Sequence, residues 1–202
     1  IIKTITLNDQ KLDYFYDDYQ ISITLPKEYK KGEEYTLYIK YTARPEKVKE
    51  KGSLAITGAK GLYFINPAGI NPNKPTQIWT QGETEASSCW FPTIDAQKHA
   101  PYLFFMGIGE YEIIEDSYKS IPVNYYVEKE YAALAKDIFG LTPEMIGFFA
   151  DKLGVEYPWN KYSQIVARDY VSGAMENTTA VIHSEKANQM KGQLIDENLQ
   201  EN

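Results

Sequence analysis

Over roughly the first 120 positions apolar and polar residues alternate in short runs with the two-residue period of strands. Ile1 to Leu7 reads as a strand. Lys11 to Tyr16 and Gln20 to Leu25 are two further runs, separated by the turn signal Asp17-Asp18. Glu34 to Tyr41 is the clearest: Tyr35, Leu37, Ile39 and Tyr41 take one face, Glu34, Thr36, Tyr38 and Lys40 the other. Lys30-Lys31-Gly32 before it is a turn, and Arg44 to Ser53, charged and holding Pro45 and Gly52, is an exposed loop. Gly61 to Ile65 and Gln77 to Thr80 are strands, and Asn66 to Pro75, with Pro67, Pro72 and Gly69, is irregular. His99 to Ile108 includes a dense apolar run that predicts a buried central strand. Tyr111 to Glu115 alternates again. Residues 1 to about 122 therefore predict an all-β domain, a sandwich or a saddle-shaped pair of sheets.

From about Pro122 the period changes. Val123 to Glu128 is a strand, and Glu130 to Phe139 reads as a helix with Leu134 and Ile138 on one face, stopped by Gly140. Thr142 suits an N-cap and Pro143 the first helical position. The second helix carries Met145, Phe148, Phe149 and Leu153, expected to be core, and Gly154 ends it. Ser163 to Ala167 is a short apolar-rich run, Asp169 to Gly173 has turn chemistry, and Thr178 to Ile182 is β-branched. Lys186 to Asn202 is polar, with a helix start near Leu194 to Leu199. The fold class is α+β, with residues 123–202 as a second domain.

Composition narrows the chemistry. At 202 residues and 43% apolar content the chain holds one large or two small domains. A net charge of -7 argues against nucleic acid or an anionic membrane as the main partner. The lone Cys89 excludes an intrachain disulfide and a cysteine zinc site. No apolar run approaches the roughly 18 residues of a membrane span. Since Ile1 to Leu7 is already strand-like, the chain is expected to begin inside a domain, and no compartment follows from it. The 17 tyrosines read as rings packed on strands with wet hydroxyls; a carbohydrate-binding surface is the alternative. The two histidines, His99 and His183, read as surface or structural, and no metal ligand or general base is assigned.

One stretch carries candidate chemistry. Within Tyr157 to Glu185 lies Gly173-Ala174-Met175-Glu176-Asn177. On the residues alone Glu176 is an ordinary solvated carboxylate on a small-residue turn. The pentapeptide resembles the exopeptidase motif of the zinc aminopeptidase family that includes aminopeptidase N and the leukotriene epoxide hydrolase. Tyr157-Pro158-Trp159-Asn160-Lys161-Tyr162 resembles a segment found upstream of that motif in the family. A third resemblance is Trp79-Thr80-Gln81-Gly82-Glu83-Thr84-Glu85-Ala86, followed by Cys89-Trp90-Phe91-Pro92-Thr93-Ile94-Asp95. In one respect the chain departs from the family. Relatives carry several tens of residues between the aspartate matching Asp95 and the strand matching Ala100 to Tyr111. Here only Ala96-Gln97-Lys98-His99 intervene, so a deletion or gap is expected near 95–99.

The resemblance implies a saddle-like β domain followed by the truncated opening of a thermolysin-like catalytic domain. It implies that Glu176 is the principal anchor for the amino terminus of a peptide and Glu83 the second, with Glu85 the fallback if the register slips. The backbone of Gly173, Ala174 and Met175 would pair with the substrate like an edge strand, with Asn177 completing the motif. Zinc belongs to the full-length protein and to a His-Glu-x-x-His helix beyond Asn202; none is expected to be bound by these residues. Partners are then peptides with a free amino terminus, and this piece alone is expected to be inactive. A non-catalytic relative serving as a protein-interaction scaffold is the alternative. Epoxide hydrolysis ranks below both, since Ala174 matches the ordinary aminopeptidase form.

Overall fold

The alternation of the first forty residues becomes five short strands in the computed structural model, which describes residues 1–48, 54–94, 99–190 and 192. They are β1 (Ile2–Leu7), β2 (Gln10–Lys11), β3 (Tyr14–Tyr16), β4 (Ile21–Ile23) and β5 (Leu37–Tyr41). β1 lies between β2 and β5, antiparallel to both, and β3 pairs with β4. Asn8 and Asp9, at φ 49° and 63°, form the two-residue link from β1 to β2. Two left-handed residues give a turn whose twist matches that of the strands it joins. Asp17 closes the next hairpin, its Oδ1 accepting from the Tyr19 and Gln20 amides at 3.0 and 2.7 Å. Ile5, Leu7 and Leu12 are buried at the centre, surrounded by Ile21, Ile23, Leu37 and Ile39. β5 is shorter than expected: Glu34 to Thr36 lie outside it, and Tyr35 turns its ring onto Tyr29 at 4.5 Å.

These strands make one compact unit, Ile1–Arg44; the second is Pro45–Asn202. The expected transition near residue 122 falls inside this second unit, at the start of a strand. Its first sheet is β6 (Leu62–Ile65), β7 (Gln77–Thr80) and β8 (Gly107–Gly109), antiparallel with β7 central. The irregular stretch after β6 is organised by Asn66, whose Nδ2 donates to the carbonyls of Asn71 (2.9 Å) and Lys74 (2.6 Å).

A buried central strand over His99 to Ile108 is not found. Pro101–Leu103 form a 3-10 turn, and only Gly107–Gly109 pair, exposed, at the sheet edge. Proline fixes φ and has no N–H to give a ladder. The apolar side chains of Tyr102, Leu103 and Phe105 instead cover a cluster centred on Trp79. The expected gap near 95–99 lies, apart from His99, outside the described residues, as do most of the charged loop's end and the helix start at Leu194.

The second sheet has five strands: β9 (Glu112–Tyr118), β10 (Ile121–Val127), β11 (Tyr162–Ala167), β12 (Ala174–Met175) and β13 (Ala180–Ser184). Their order is β12-β13-β11-β10-β9; the three inner strands are parallel, and each edge strand is antiparallel to its neighbour. Parallel inner strands are covered on both faces, and β11 is accordingly buried from Ser163 to Ala167. The crossover from β10 to β11 is a 3-10 turn (Lys129–Leu134), then α1 (Ala135–Phe139) and α2 (Thr142–Leu153). Val123, Tyr125, Val127, Ala135, Phe139, Ile146 and Val166 form the core between helices and sheet. The architecture is mixed and mostly β, of the α+β kind.

Two expectations about α2 are corrected. Thr142 is its first helical residue and not its cap; its hydroxyl lies 2.7 Å from both the Phe139 carbonyl and Gln164 Oε1. The face expected to be core is exposed: Met145 53%, Phe148 54%, Phe149 58% and Leu153 73%. Thr142, Ile146 and Ala150 are buried instead. They recur every four residues and form one stripe, and Gly147 beside them lets Tyr118 approach to within 3.2 Å of where a Cβ would stand. The smaller residues reach the sheet and the larger ones face outward. Gly154 ends the helix in the left-handed region at φ 67°, as expected.

His183 sits within β13, against the Phe139 ring at 5.4 Å and 3.2 Å from Gln164 Nε2. A ring nitrogen takes a hydrogen bond from an amide only while unprotonated. Burial pushes its pKa down from 6.5 to about 4. As pH falls below about 6.5 the unfolded chain takes up a proton that the folded chain refuses, so stability is lost down to about pH 4. His183→Gln is expected to remove on the order of 3 kcal/mol of that loss. Urea midpoints of both proteins at pH 7 and 4.5 measure it; identical pH slopes would contradict it.

Candidate functional site

Glu176 follows β12, a two-residue strand at the end of its sheet. β12 meets β13 with Ala174 opposite His183 and Met175 opposite Ile182. The Ser184 amide donates to the Gly173 carbonyl at 2.8 Å. In an antiparallel pair, bonded and non-bonded residues alternate. Gly173 and Met175 therefore bond to β13, and the N–H and C=O of Ala174 face the open edge. Side chains alternate too: Met175 is buried beside Trp79, Tyr170 and Ile182, while Ala174 and Glu176 are exposed. A Cβ built at Gly173 meets no atom within 4 Å, so nothing in the protein's own interior demands a glycine there. Asn177 is 2% exposed, and its Nδ2 donates to the carbonyls of Tyr102 (3.5 Å) and Leu103 (3.4 Å). The side chains of Met175 and Asn177 thus point inward, and only Glu176 of the three reaches solvent.

Glu83 stands on the loop after β7. Gln81, fully buried, accepts the Glu83 amide on Oε1 at 2.7 Å and donates from Nε2 to the Tyr170 hydroxyl at 2.8 Å. Gly82 leaves no room for a side chain: a Cβ would come within 2.3 Å of Ser87 Oγ and 2.7 Å of the Tyr102 Cα and carbonyl oxygen. Glu83 is half-buried; Glu85 is exposed, at the start of the 3-10 turn Ala86–Cys89. Glu83 and Glu176 act on one shared group. Burial holds the Tyr170 hydroxyl protonated far above its ordinary range, opposed by the bond from Gln81, and the negative charges of Glu83 and Glu176 reinforce it. The Glu83 loop reaches Tyr170 through Gln81, and Tyr170 leads into the Glu176 turn.

Beneath them lies a support that the sequence reading did not single out. Trp79 stacks on Tyr63 at 4.1 Å, meets the Tyr170 ring edge-on at 5.2 Å, and donates from Nε1 to the Arg168 carbonyl at 3.0 Å. Arg168 grips Glu128 with two bonds of 2.6 and 2.8 Å, and its amide donates to Gln77 Oε1 at 2.9 Å. Trp79 and Gln81 lay within the quoted motif, but nothing in the sequence marks Tyr170 or Arg168.

Zinc does not fit the residues at hand. Among the described residues no three of His, Cys, Asp and Glu converge into a group able to hold a metal. His183 is half-buried in β13 against Phe139 and Gln164, and exposed His99 lies 2.8 Å from Thr178 Oγ1. No chemical step is therefore routed through a metal here. Among the described residues no helix is long and apolar enough to cross a membrane.

No curated protein matches the chain. The family described as the Peptidase family M1 domain matches residues 138–198, from the end of α1 through β11, the Glu176 turn and β13. By that match residues 138–198 are similar to the peptidase family M1 domain.

Proposed function

We propose that this chain supplies the amino-terminus anchor of a zinc-dependent aminopeptidase, with Glu176 and Glu83 as its two carboxylates. What carries the reading is solvent-facing Glu176, at the end of a strand whose Ala174 backbone is open, and half-buried Glu83, whose loop is tied through Gln81 to the Tyr170 that leads into the Glu176 turn. A free α-amino group, with a pKa near 7.7 to 8.0, is largely cationic at neutral pH. Each charge-assisted hydrogen bond to it is worth roughly 1.5 to 3 kcal/mol. The Ala174 N–H and C=O take the substrate backbone as an added strand, and Gly173 leaves room for its approach. Fixing the amine at one end places the first peptide bond at a set distance, which makes an exopeptidase. In the same reading residues 1–122 are the saddle-like β domain and 123–202 the opening of a thermolysin-like catalytic domain. Zinc and the groups that perform hydrolysis belong to other parts of the protein.

The test uses the complete protein carrying this chain. A free-amine peptide is expected to lose its first residue at least about 100 times faster than its acetylated form, the yield of two such bonds at roughly 1.5 kcal/mol each. Equal rates on both would overturn the proposal.

A further inference from the structure

Two carboxylates that share one ammonium must keep their spacing, yet Glu83 and Glu176 lie on segments far apart in the chain. The Gln81 side chain joins them. Both ends of its buried amide are engaged, one by the Glu83 backbone at 2.7 Å and the other by the Tyr170 hydroxyl at 2.8 Å. Tyr170 is 9% exposed and leads directly into the turn that presents Glu176. A second tether runs through the Tyr102 backbone, which crowds Gly82 on one side and accepts from Asn177 on the other. The Tyr170 ring has its own role against Trp79, which a phenylalanine would keep. The hydroxyl is thus separable from the ring's packing role. We propose that Gln81 and Tyr170 are positioning residues, whose hydrogen bond holds the Glu83 loop against the Glu176 turn and so sets the spacing that a substrate ammonium must match. This rests on Glu83 and Glu176 being the amine's ligands.

The experiment compares competitive inhibition of the complete protein by leucinamide and by 4-methylpentanamide, the same molecule without its amine. Glu176→Gln is expected to abolish the preference for leucinamide. Tyr170→Phe is expected to lower it about 5-fold, within the range of one neutral hydrogen bond, with kcat on alanyl-p-nitroanilide changed less than about twofold. Gln81→Met, which also removes the bond to the Glu83 amide, should lower it at least as much, and adding Tyr170→Phe to it should cost nothing more, because the bond to the hydroxyl is already gone. If Glu176→Gln abolishes the preference and Tyr170→Phe leaves it whole, the clamp is refuted and the amine site stands. If Glu176→Gln also leaves it whole, the site reading falls and the clamp with it. Equal weakening of both inhibitors by Tyr170→Phe signifies a merely structural hydroxyl and overturns the inference too.

Discussion

Glu176→Gln is expected to lower kcat/KM on aminoacyl substrates by roughly 10- to 150-fold, the worth of one charge-assisted hydrogen bond. The substitution keeps the shape of the side chain and removes its charge. Glu176 is exposed and no ion pair to it is found among the described residues, so the fold should not change. The melting temperature and the zinc content of the complete protein are expected to stay at wild-type values. Glu176→Ala should lose as much or more. Wild-type turnover by either variant would remove Glu176 from the site, whatever the fate of Glu83.

Trp79→Ala is expected to cost the second unit about 3 to 5 kcal/mol, the usual range for emptying a large aromatic from a core. Trp79 is fully buried between Tyr63 and Tyr170, and its indole N–H is the donor to the Arg168 carbonyl. Alanine leaves a void and takes away that donor together. Urea unfolding followed by far-ultraviolet circular dichroism measures the change, since tryptophan emission is itself altered. A loss below about 1 kcal/mol would show that the cluster refills and that the Tyr170 support does not depend on the indole.

The parts of this fold that were legible in the sequence are those set by neighbours. Asp17-Asp18 marks a hairpin because a carboxylate can bond amides two and three residues on. The alternation of Val123, Tyr125 and Val127 marks β10 because every second side chain faces one way. α2 was read inside out for a physical reason. Periodicity says that a helix has an apolar stripe, and this one has two: the large Met145 and Phe148 side, and the smaller Ile146 and Ala150 side that fits the sheet. The apolar density around Phe104 shows that this run packs against something, but not that it does so as a proline turn that leaves Tyr102, Leu103 and Phe105 half-buried. At the candidate site the stretch from Ser163 to Ile182 was legible as strand, turn and strand, without the short β12. The bond from Gln81 to Tyr170 was not, because it spans 89 positions and neither residue carries a local signal. The M1 match reaches β11 and β13 but not the Glu83 loop, so that half of the candidate site rests on the motif resemblance and on the Gln81–Tyr170 bond.

The brevity of β12 has an effect of its own. A long bare strand margin recruits copy after copy and grows into an aggregate. Two residues, Ala174 and Met175, give too little length for that, and Glu176 puts a charge at the end of them. Such a margin has room for the single visiting chain of the proposed reading and gives the next copy of the protein nothing to build on.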